Sequence, residues 1–341
     1  MRQADAPLVS TLGRRAWLRL LAAGCAGSAL FAARAATVLD GQWLDASRAR
    51  QLPWRLRLPP TPGPWPLLLY SHGLGGSRLG GSVWGEAWAQ AGIAVLHLQH
   101  PGSDRVTARS GLAALRAAAS GEQLLERVSD VRFALDEVER LSGSSRAQRA
   151  LENPWQDLSR TAIGVAGHSF GAHTVQALAG QSLAGSGDLS DPRPRAFMAL
   201  SPSMPRLSAQ SVAGAKQAFG GVTRPFLAAT GSNDSDPFGR FQGGASRALV
   251  FEGLPAGQKA LLWLEGADHM SFGGGLEEAQ GARSALLRRE GRASELEPLH
   301  QSLVARISAL WWRAHLLEDA SARAQLALPQ TLGVGDRFVL G

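Results

Sequence analysis

Residues 167–171 read Gly-His-Ser-Phe-Gly, which places Ser169 between two glycines. An apolar run at 161–166 precedes this segment and a helical pattern at 172–179 follows it, so Ser169 falls on a predicted strand-to-helix turn. Glycines on both sides permit a sharp bend there, because a Cβ would collide with the neighbouring backbone. This context favours a nucleophilic serine over the alternative, a glycine-rich turn whose serine only caps a helix.

A serine hydroxyl is a weak nucleophile at neutral pH and needs a histidine to take its proton. Among the eight histidines, His269 follows the apolar run 260–264 and lies in a glycine-rich loop. Sites on open α/β sheets form at such carboxyl ends of strands. We therefore predict His269 as the general base. His300 and His315 fall in a helical pattern and are predicted to be surface or packing residues.

A carboxylate must orient that histidine, and two candidates follow the apolar run 226–229. Asp234 lies three residues past Gly231, at the base of the loop, and is the preferred acid; Asp236 is the alternative. Either could instead form an Asx turn or cap a helix. The resulting chain order, serine then aspartate then histidine, is the order typical of α/β-hydrolases.

The oxyanion that forms during acyl transfer needs two fixed N–H donors. The residue after the nucleophile, Phe170, is the first candidate, and Leu74 in the glycine-rich loop 71–77 is the second. His72 is predicted to hold this loop by hydrogen bonds rather than to react. Because no Gly-Lys-Ser/Thr follows the glycines, nucleotide binding is not expected.

Short apolar runs alternate with longer amphipathic segments, a pattern typical of a mostly parallel sheet flanked by helices. We predict the fold class α/β and one catalytic domain over residues 36–341. The predicted strands cover 52–58, 67–70, 93–98, 161–167, 196–200, 226–229 and 260–264. The predicted helices cover 83–91, 121–141, 172–179 and 299–317, and the long connections 99–120, 202–224 and 272–296 are predicted as loops.

The 341 residues are 45% hydrophobic and 18% charged, which excludes a disordered or fibrous chain. The formal net charge is +7, but five arginines and one aspartate in the first 35 residues supply much of it. The other basic residues form no cluster interleaved with aromatics. We therefore expect no nucleic-acid partner, and the motifs imply no metal and no organic cofactor.

The first 35 residues have the order of an export signal, with Arg14 and Arg15 before an apolar run at 20–33 and an Ala-x-Ala site. The paired arginines resemble the twin-arginine signal, which predicts a periplasmic or secreted product without stable membrane insertion after cleavage. One alternative is a lipoprotein anchored at Cys25, the single cysteine. Another is an amphipathic first helix of the fold.

Four segments spread over the chain together resemble the α/β-hydrolase superfamily. Within it, they are most similar to bacterial predicted dienelactone hydrolases related to platelet-activating-factor acetylhydrolase. These segments are Tyr-Ser-His-Gly-Leu-Gly-Gly-Ser-Arg at 70–78, His-Pro-Gly-Ser-Asp at 100–104, Gly-His-Ser-Phe-Gly at 167–171 and Gly-Ala-Asp-His-Met-Ser-Phe at 266–272. The resemblance implies that Ser169 is the nucleophile, His269 the base, and Leu74 and Phe170 the oxyanion donors.

Two departures limit what the resemblance implies. In the acetylhydrolase relatives the acid follows the strand after the nucleophile helix, where this chain has Ser201, so Asp234 must supply the carboxylate. Dienelactone hydrolases use a cysteine nucleophile, which is missing here. We expect a serine hydrolase that cleaves carboxylic esters of small or medium acyl groups through an acyl-enzyme. The alternatives are an amidase or peptidase with the same residues, or an inert hydrolase-fold binding module.

Overall fold

The computed structural model describes residues 35–143, 153–204, 211–236, 243–275 and 292–341. Residues 36–341 group into one compact unit. The predicted export signal and Cys25 lie outside the described residues, apart from Ala35, which ends that signal.

The described residues contain a nine-stranded sheet whose spatial order is β1-β2-β4-β3-β5-β6-β7-β8-β9. Strands β3 to β8 run parallel, and β1, β2 and β9 are antiparallel additions at the two sides. The strands are β1 (Thr37–Asp45), β2 (Arg50–Leu58), β3 (Trp65–Ser71), β4 (Ala94–Leu98), β5 (Leu158–His168), β6 (Ala196–Leu200), β7 (Phe226–Asn233), β8 (Lys259–Asp268) and β9 (Arg337–Leu340).

Helices cover both faces of the sheet. They are α1 (Ser82–Gln90), α2 (Arg105–Arg109), α3 (Leu112–Ala117), α4 (Gly121–Ser142), α5 (Phe170–Ala179), α6 (Val212–Phe219), α7 (Gly243–Gly253), α8 (Arg292–Glu295), α9 (Glu297–Leu316) and α10 (Ala320–Ala327). One apolar core contains residues of α4 to α7, and a second contains residues of α1, α9 and α10. Strands buried on both faces read as continuous apolar runs, and every residue of β4 and β6 is buried.

The predicted α/β class with a mostly parallel sheet is confirmed, and each predicted strand and helix appears with boundaries shifted by a few residues. The edge strands β1 and β9 were not predicted. The predicted loop 99–120 is wrong in part, because it contains α2 and α3; likewise the loop 202–224 contains α6. Parts of 202–224 and 272–296 lie outside the described residues.

The carboxyl ends of the parallel strands meet along one edge of the sheet. The segments that follow β3, β5, β7 and β8 carry the glycine-rich loop, Ser169, Asp234 and His269 respectively. The parallel pairing therefore gathers residues from four distant parts of the sequence. Among the described helices, none combines the length and the apolar character that crossing a bilayer requires.

Candidate active site

Ser169 lies at the turn between β5 and α5 with φ 57° and ψ −115°, a conformation that non-glycine residues rarely adopt. Both flanking glycines are needed here. A Cβ on Gly171 would overlap the carbonyl oxygen of Ser71, and one on Gly167 would come within about 2.5 Å of the Gly171 backbone. The tight turn leaves Ser169 partly exposed above the sheet.

Ser169, His269 and Asp234 form a continuous hydrogen-bonded chain. The Ser169 Oγ lies 2.8 Å from His269 Nε2, and His269 Nδ1 lies 2.8 Å from Asp234 Oδ1. The Asp234 side chain is fully buried, and its Oδ2 accepts a hydrogen bond from the Thr230 hydroxyl at 2.9 Å. Of the two aspartates predicted as alternatives, Asp234 is therefore the one placed to orient the imidazole. This connectivity can move a proton from the serine to the histidine.

The guanidinium of Arg247 is a buried cation that contacts the same carboxylate. Its Nε lies 3.0 Å from Asp234 Oδ1, and its Nη1 donates to the carbonyl oxygens of Ser201 and Pro202. Burial alone would raise the pKa of Asp234, but the Arg247 charge and the hydrogen bond from His269 outweigh it and leave that pKa below its ordinary value. The carboxylate is therefore ionised at neutral pH.

His168 holds the backbone at His269 in place through a hydrogen bond. Its Nε2 lies 2.9 Å from the carbonyl oxygen of His269, and because a carbonyl only accepts, Nε2 carries the proton. Burial, reinforced by repulsion from His269, lowers the pKa of His168 to about 3. The ring is thus neutral at pH 7 and acts as a fixed hydrogen-bond donor.

His269 opens a short 3-10 turn, His269–Phe272, that is capped at both ends. The Asp268 carboxylate accepts from the Ser271 backbone N–H, and the Ser271 hydroxyl oxygen accepts from the Asp268 backbone N–H; these two hydrogen bonds make a capping box. The fully buried Trp84 donates its indole N–H to the carbonyl oxygen of Phe272 at 3.0 Å. Asp268 and Trp84 therefore position the turn that carries His269.

The two residues predicted as oxyanion donors belong to the two segments that meet at Ser169. Phe170 occupies the first position of α5, where backbone N–H groups have no acceptor within the helix. Leu74 lies in the loop after β3, and that loop approaches Ser169 closely: a Cβ on Gly73 would be 3.4 Å from the Ser169 Cβ. His72 donates from Nδ1 to the Gly73 carbonyl oxygen at 2.6 Å, as expected of a residue that holds the loop.

A second chain of serine, histidine and aspartate lies beneath this loop and is sealed from solvent. The Ser71 Oγ lies 2.9 Å from His100 Nε2, and His100 Nδ1 lies 2.9 Å from Asp130 Oδ2. Arg50 adds an ion pair to Asp130 at 2.7 Å. None of the three side chains is more than 1% exposed. They tie the ends of β3 and β4 to α4, and so support the loop that carries Leu74.

Arg127 of α4 connects this buried cluster to the turn that carries Ser169. Its Nη1 donates to the His72 carbonyl oxygen at 2.6 Å, and its Nε donates to the Ser103 hydroxyl at 2.8 Å. The guanidinium carbon also lies 4.4 Å from the centre of the Phe170 ring, a cation–π contact. One buried cation therefore touches both segments that carry the predicted oxyanion donors.

Sequence reasoning did not single out Arg247, His168, Arg127 or Asp130. A signal for two of them exists: Arg127 and Asp130 fall on the apolar stripe of α4, where a charged residue must have a buried partner. Arg247 carries no such signal, because nothing in the local sequence shows which carboxylate it meets.

Among the described residues, no group of three or more histidine, cysteine, aspartate or glutamate side chains is arranged to hold a metal ion. No protein-family model matches the sequence, and a comparison with curated proteins gives no match.

Proposed function

We propose that this protein is a serine hydrolase that cleaves carboxylic esters through an acyl-enzyme. The observation that carries the proposal is the hydrogen-bonded chain from a partly exposed Ser169 through His269 to a buried, ionised Asp234. A nucleophile, a base and an orienting acid in this order are the parts that acyl transfer requires. The strained turn beneath Ser169 supports the same conclusion, because such strain clusters at functional sites.

In the proposed reaction, Ser169 Oγ attacks the ester carbonyl carbon while His269 Nε2 takes the hydroxyl proton. The carbonyl oxygen becomes an oxyanion that accepts hydrogen bonds from the backbone N–H groups of Phe170 and Leu74. Collapse of this intermediate breaks the bond to the alcohol oxygen, which leaves with the proton from His269. A water molecule then attacks the acyl-enzyme with the same proton transfers and releases the carboxylic acid. Asp234 stabilises the imidazolium throughout.

We further propose that the sheet is that of the α/β-hydrolase fold. The positions of the three residues support this: the serine follows β5 at a strand-to-helix turn, the aspartate follows β7, and the histidine follows β8. The acid thus comes from the end of β7, while the end of β6 supplies Ser201, whose carbonyl oxygen accepts from Arg247. Fold alone does not imply activity, so the proposal depends on the site.

The test is hydrolysis of p-nitrophenyl esters of increasing acyl length by the full chain and by its Ser169→Ala variant. We expect turnover of short esters and a loss of at least about 10³-fold in kcat in the variant. Ser302→Ala, which removes an exposed hydroxyl from α9, is the matched control and should keep full activity. No hydrolysis of any ester, together with no labelling of Ser169 by a fluorophosphonate, would favour the inert binding module. Faster turnover of matched anilides would favour an amidase.

For the N-terminal segment we propose export by the twin-arginine route. The support is the residue order alone, with Arg14 and Arg15 before the apolar run. Full-length protein should accumulate in the periplasm of a bacterial host, and replacement of both arginines by lysine should retain it in the cytoplasm. Membrane retention that Cys25→Ala abolishes would instead identify a lipoprotein.

A further inference from the structure

We propose that a cavity of about 280 Å³ beside α2 binds the oxyanion group, a carboxylate or a phosphate, of a small molecule. The loop that continues from the predicted oxyanion loop forms one wall, at residues 77–79, and α2 forms another. Four arginines line the cavity, and no carboxylate among the described residues does so. These arginines are Arg55, Arg78, Arg105 and Arg109. The proposal does not depend on the ester hydrolase activity.

One carboxylate serves two of the four cations. Arg55 Nη2 lies 2.8 Å from Asp40 Oδ2, and Arg78 Nε lies 3.0 Å from Asp40 Oδ1, so both oxygens of that carboxylate are occupied. Within the part of the chain that the structure describes, neither Arg105 nor Arg109 has a carboxylate at ion-pair distance. The four guanidinium groups that line the cavity and the one carboxylate that pairs with two of them sum to a charge of +3, because arginine stays protonated in proteins.

The carboxylate next to α2 makes its hydrogen bonds away from the cavity. Asp104 is 3% exposed and its Oδ1 accepts from the backbone N–H groups of Val106 and Thr107, as the cap of α2. Its Oδ2 accepts from the side-chain amide of Gln99 at 2.7 Å. The acid therefore faces the helix and the interior, while Arg105 and Arg109 face the cavity.

An oxyanion ligand is the chemistry that fits this arrangement. Guanidinium groups bind carboxylate and phosphate oxygens through paired, charge-assisted hydrogen bonds. Arg105 and Arg109 are four residues apart on one helix and so lie on the same face, where their like charges repel without a counter-ion. Val106, 61% exposed, also lines the cavity and offers an apolar contact beside the charged groups. The ligand class is therefore a small organic acid or phosphate ester with a short apolar part.

The test is titration calorimetry of the full chain at low ionic strength with two probes, inorganic phosphate and butyrate. We expect saturable binding of at least one probe at one site, weakened at least tenfold in the double variant Arg105→Gln and Arg109→Gln. The double variant Arg116→Gln and Arg160→Gln removes the same charge from exposed positions outside the cavity, and should bind as the wild type does. The probe that binds more tightly identifies the source of the oxyanion group.

A second variant keeps all four arginines. Val106→Glu places a carboxylate in the cavity at an exposed position, and should abolish binding while circular dichroism and the thermal midpoint stay unchanged. Binding should also survive in Ser169→Ala, which separates this site from the proposed reaction. The proposal is overturned if neither probe saturates at millimolar concentration, or if both double variants weaken binding equally, since equal loss would mean general electrostatic attraction.

Discussion

Acidification from pH 7 to pH 5 should destabilise this protein steeply, because the folded chain holds at least three histidines buried and neutral. His97, His100 and His168 are 1%, 0% and 6% exposed. Burial, with added repulsion from Arg57, lowers the pKa of His97 to about 3. Burial likewise lowers the pKa of His100 to about 4, although its bond to Asp130 opposes the shift, and lowers that of His168 to about 3. In the unfolded chain each has its ordinary pKa of about 6.5.

The magnitude follows from the protons that only the unfolded state binds. Below pH 6.5 the unfolded chain takes up three protons at these positions, whereas the folded chain takes up none until pH approaches 4. The free energy of unfolding therefore falls by about 1.4 kcal/mol per pH unit for each histidine as pH decreases. At pH 5 the three together remove roughly 6 kcal/mol, which is comparable to the whole stability of a typical domain, about 5–15 kcal/mol.

The assay is urea unfolding followed by tryptophan fluorescence at pH 7, 6 and 5. Between pH 6 and 5 the wild type should lose about 4 kcal/mol, and His97→Gln, which keeps a donor for the Gly80 carbonyl oxygen, should lose about 3 kcal/mol. A wild-type stability that changes by less than 1 kcal/mol from pH 7 to 5 would refute the reasoning. If the free energy of unfolding of His97→Gln falls with pH as steeply as that of the wild type, His97 is not one of the groups responsible.

Three further predictions concern the site itself. Asp234→Asn should lower kcat for p-nitrophenyl acetate by about 10⁴-fold, because the imidazole loses its orienting acid. Asp236→Asn is the control and should keep most of the activity. The reverse result would assign the acid role to Asp236. Arg247→Met should lower the free energy of unfolding, measured with urea at pH 7, by at least about 3 kcal/mol, since it leaves the buried Asp234 carboxylate without its cation. An unchanged free energy of unfolding would contradict that pairing. Gly171→Ala should abolish soluble, active protein because its Cβ overlaps backbone, while Gly121→Ala, which meets nothing within 4 Å, should be tolerated.

The central strands and the serine turn could be predicted from sequence because their signals are local. Strands β3 to β8 are apolar runs closed by turn residues, and the glycines around Ser169 report a steric need of that one bend. The edge strands β1 and β9 carry no comparable signal, because they are largely exposed and depend on pairing with β2 and β8.

The contacts between charged side chains at the two sites could not be predicted from the sequence, because they form only when separate elements of the fold pack together. Arg247 meets Asp234 only after α7 packs against β7, and nothing in a linear pattern identifies that partner. The arginines of the proposed anion site come from β2, from the loop after β3 and from α2, so they are scattered in the sequence and converge only in the folded chain. The number of basic residues in any short stretch of the sequence therefore could not reveal the positive charge that gathers at this cavity.

Ser71, His100 and Asp130 repeat, out of contact with solvent, the hydrogen-bonded order of Ser169, His269 and Asp234. Their oxygen–nitrogen separations differ from those around Ser169 by only about 0.1 Å, so bond lengths do not distinguish a reactive hydroxyl from an inert one. The two serines differ in accessibility. An acyl carbon can approach the partly exposed Ser169 on its turn, whereas Ser71 is buried at the end of β3. A covalent inhibitor should therefore modify one serine of the two, and mass spectrometry of the labelled peptide would tell them apart.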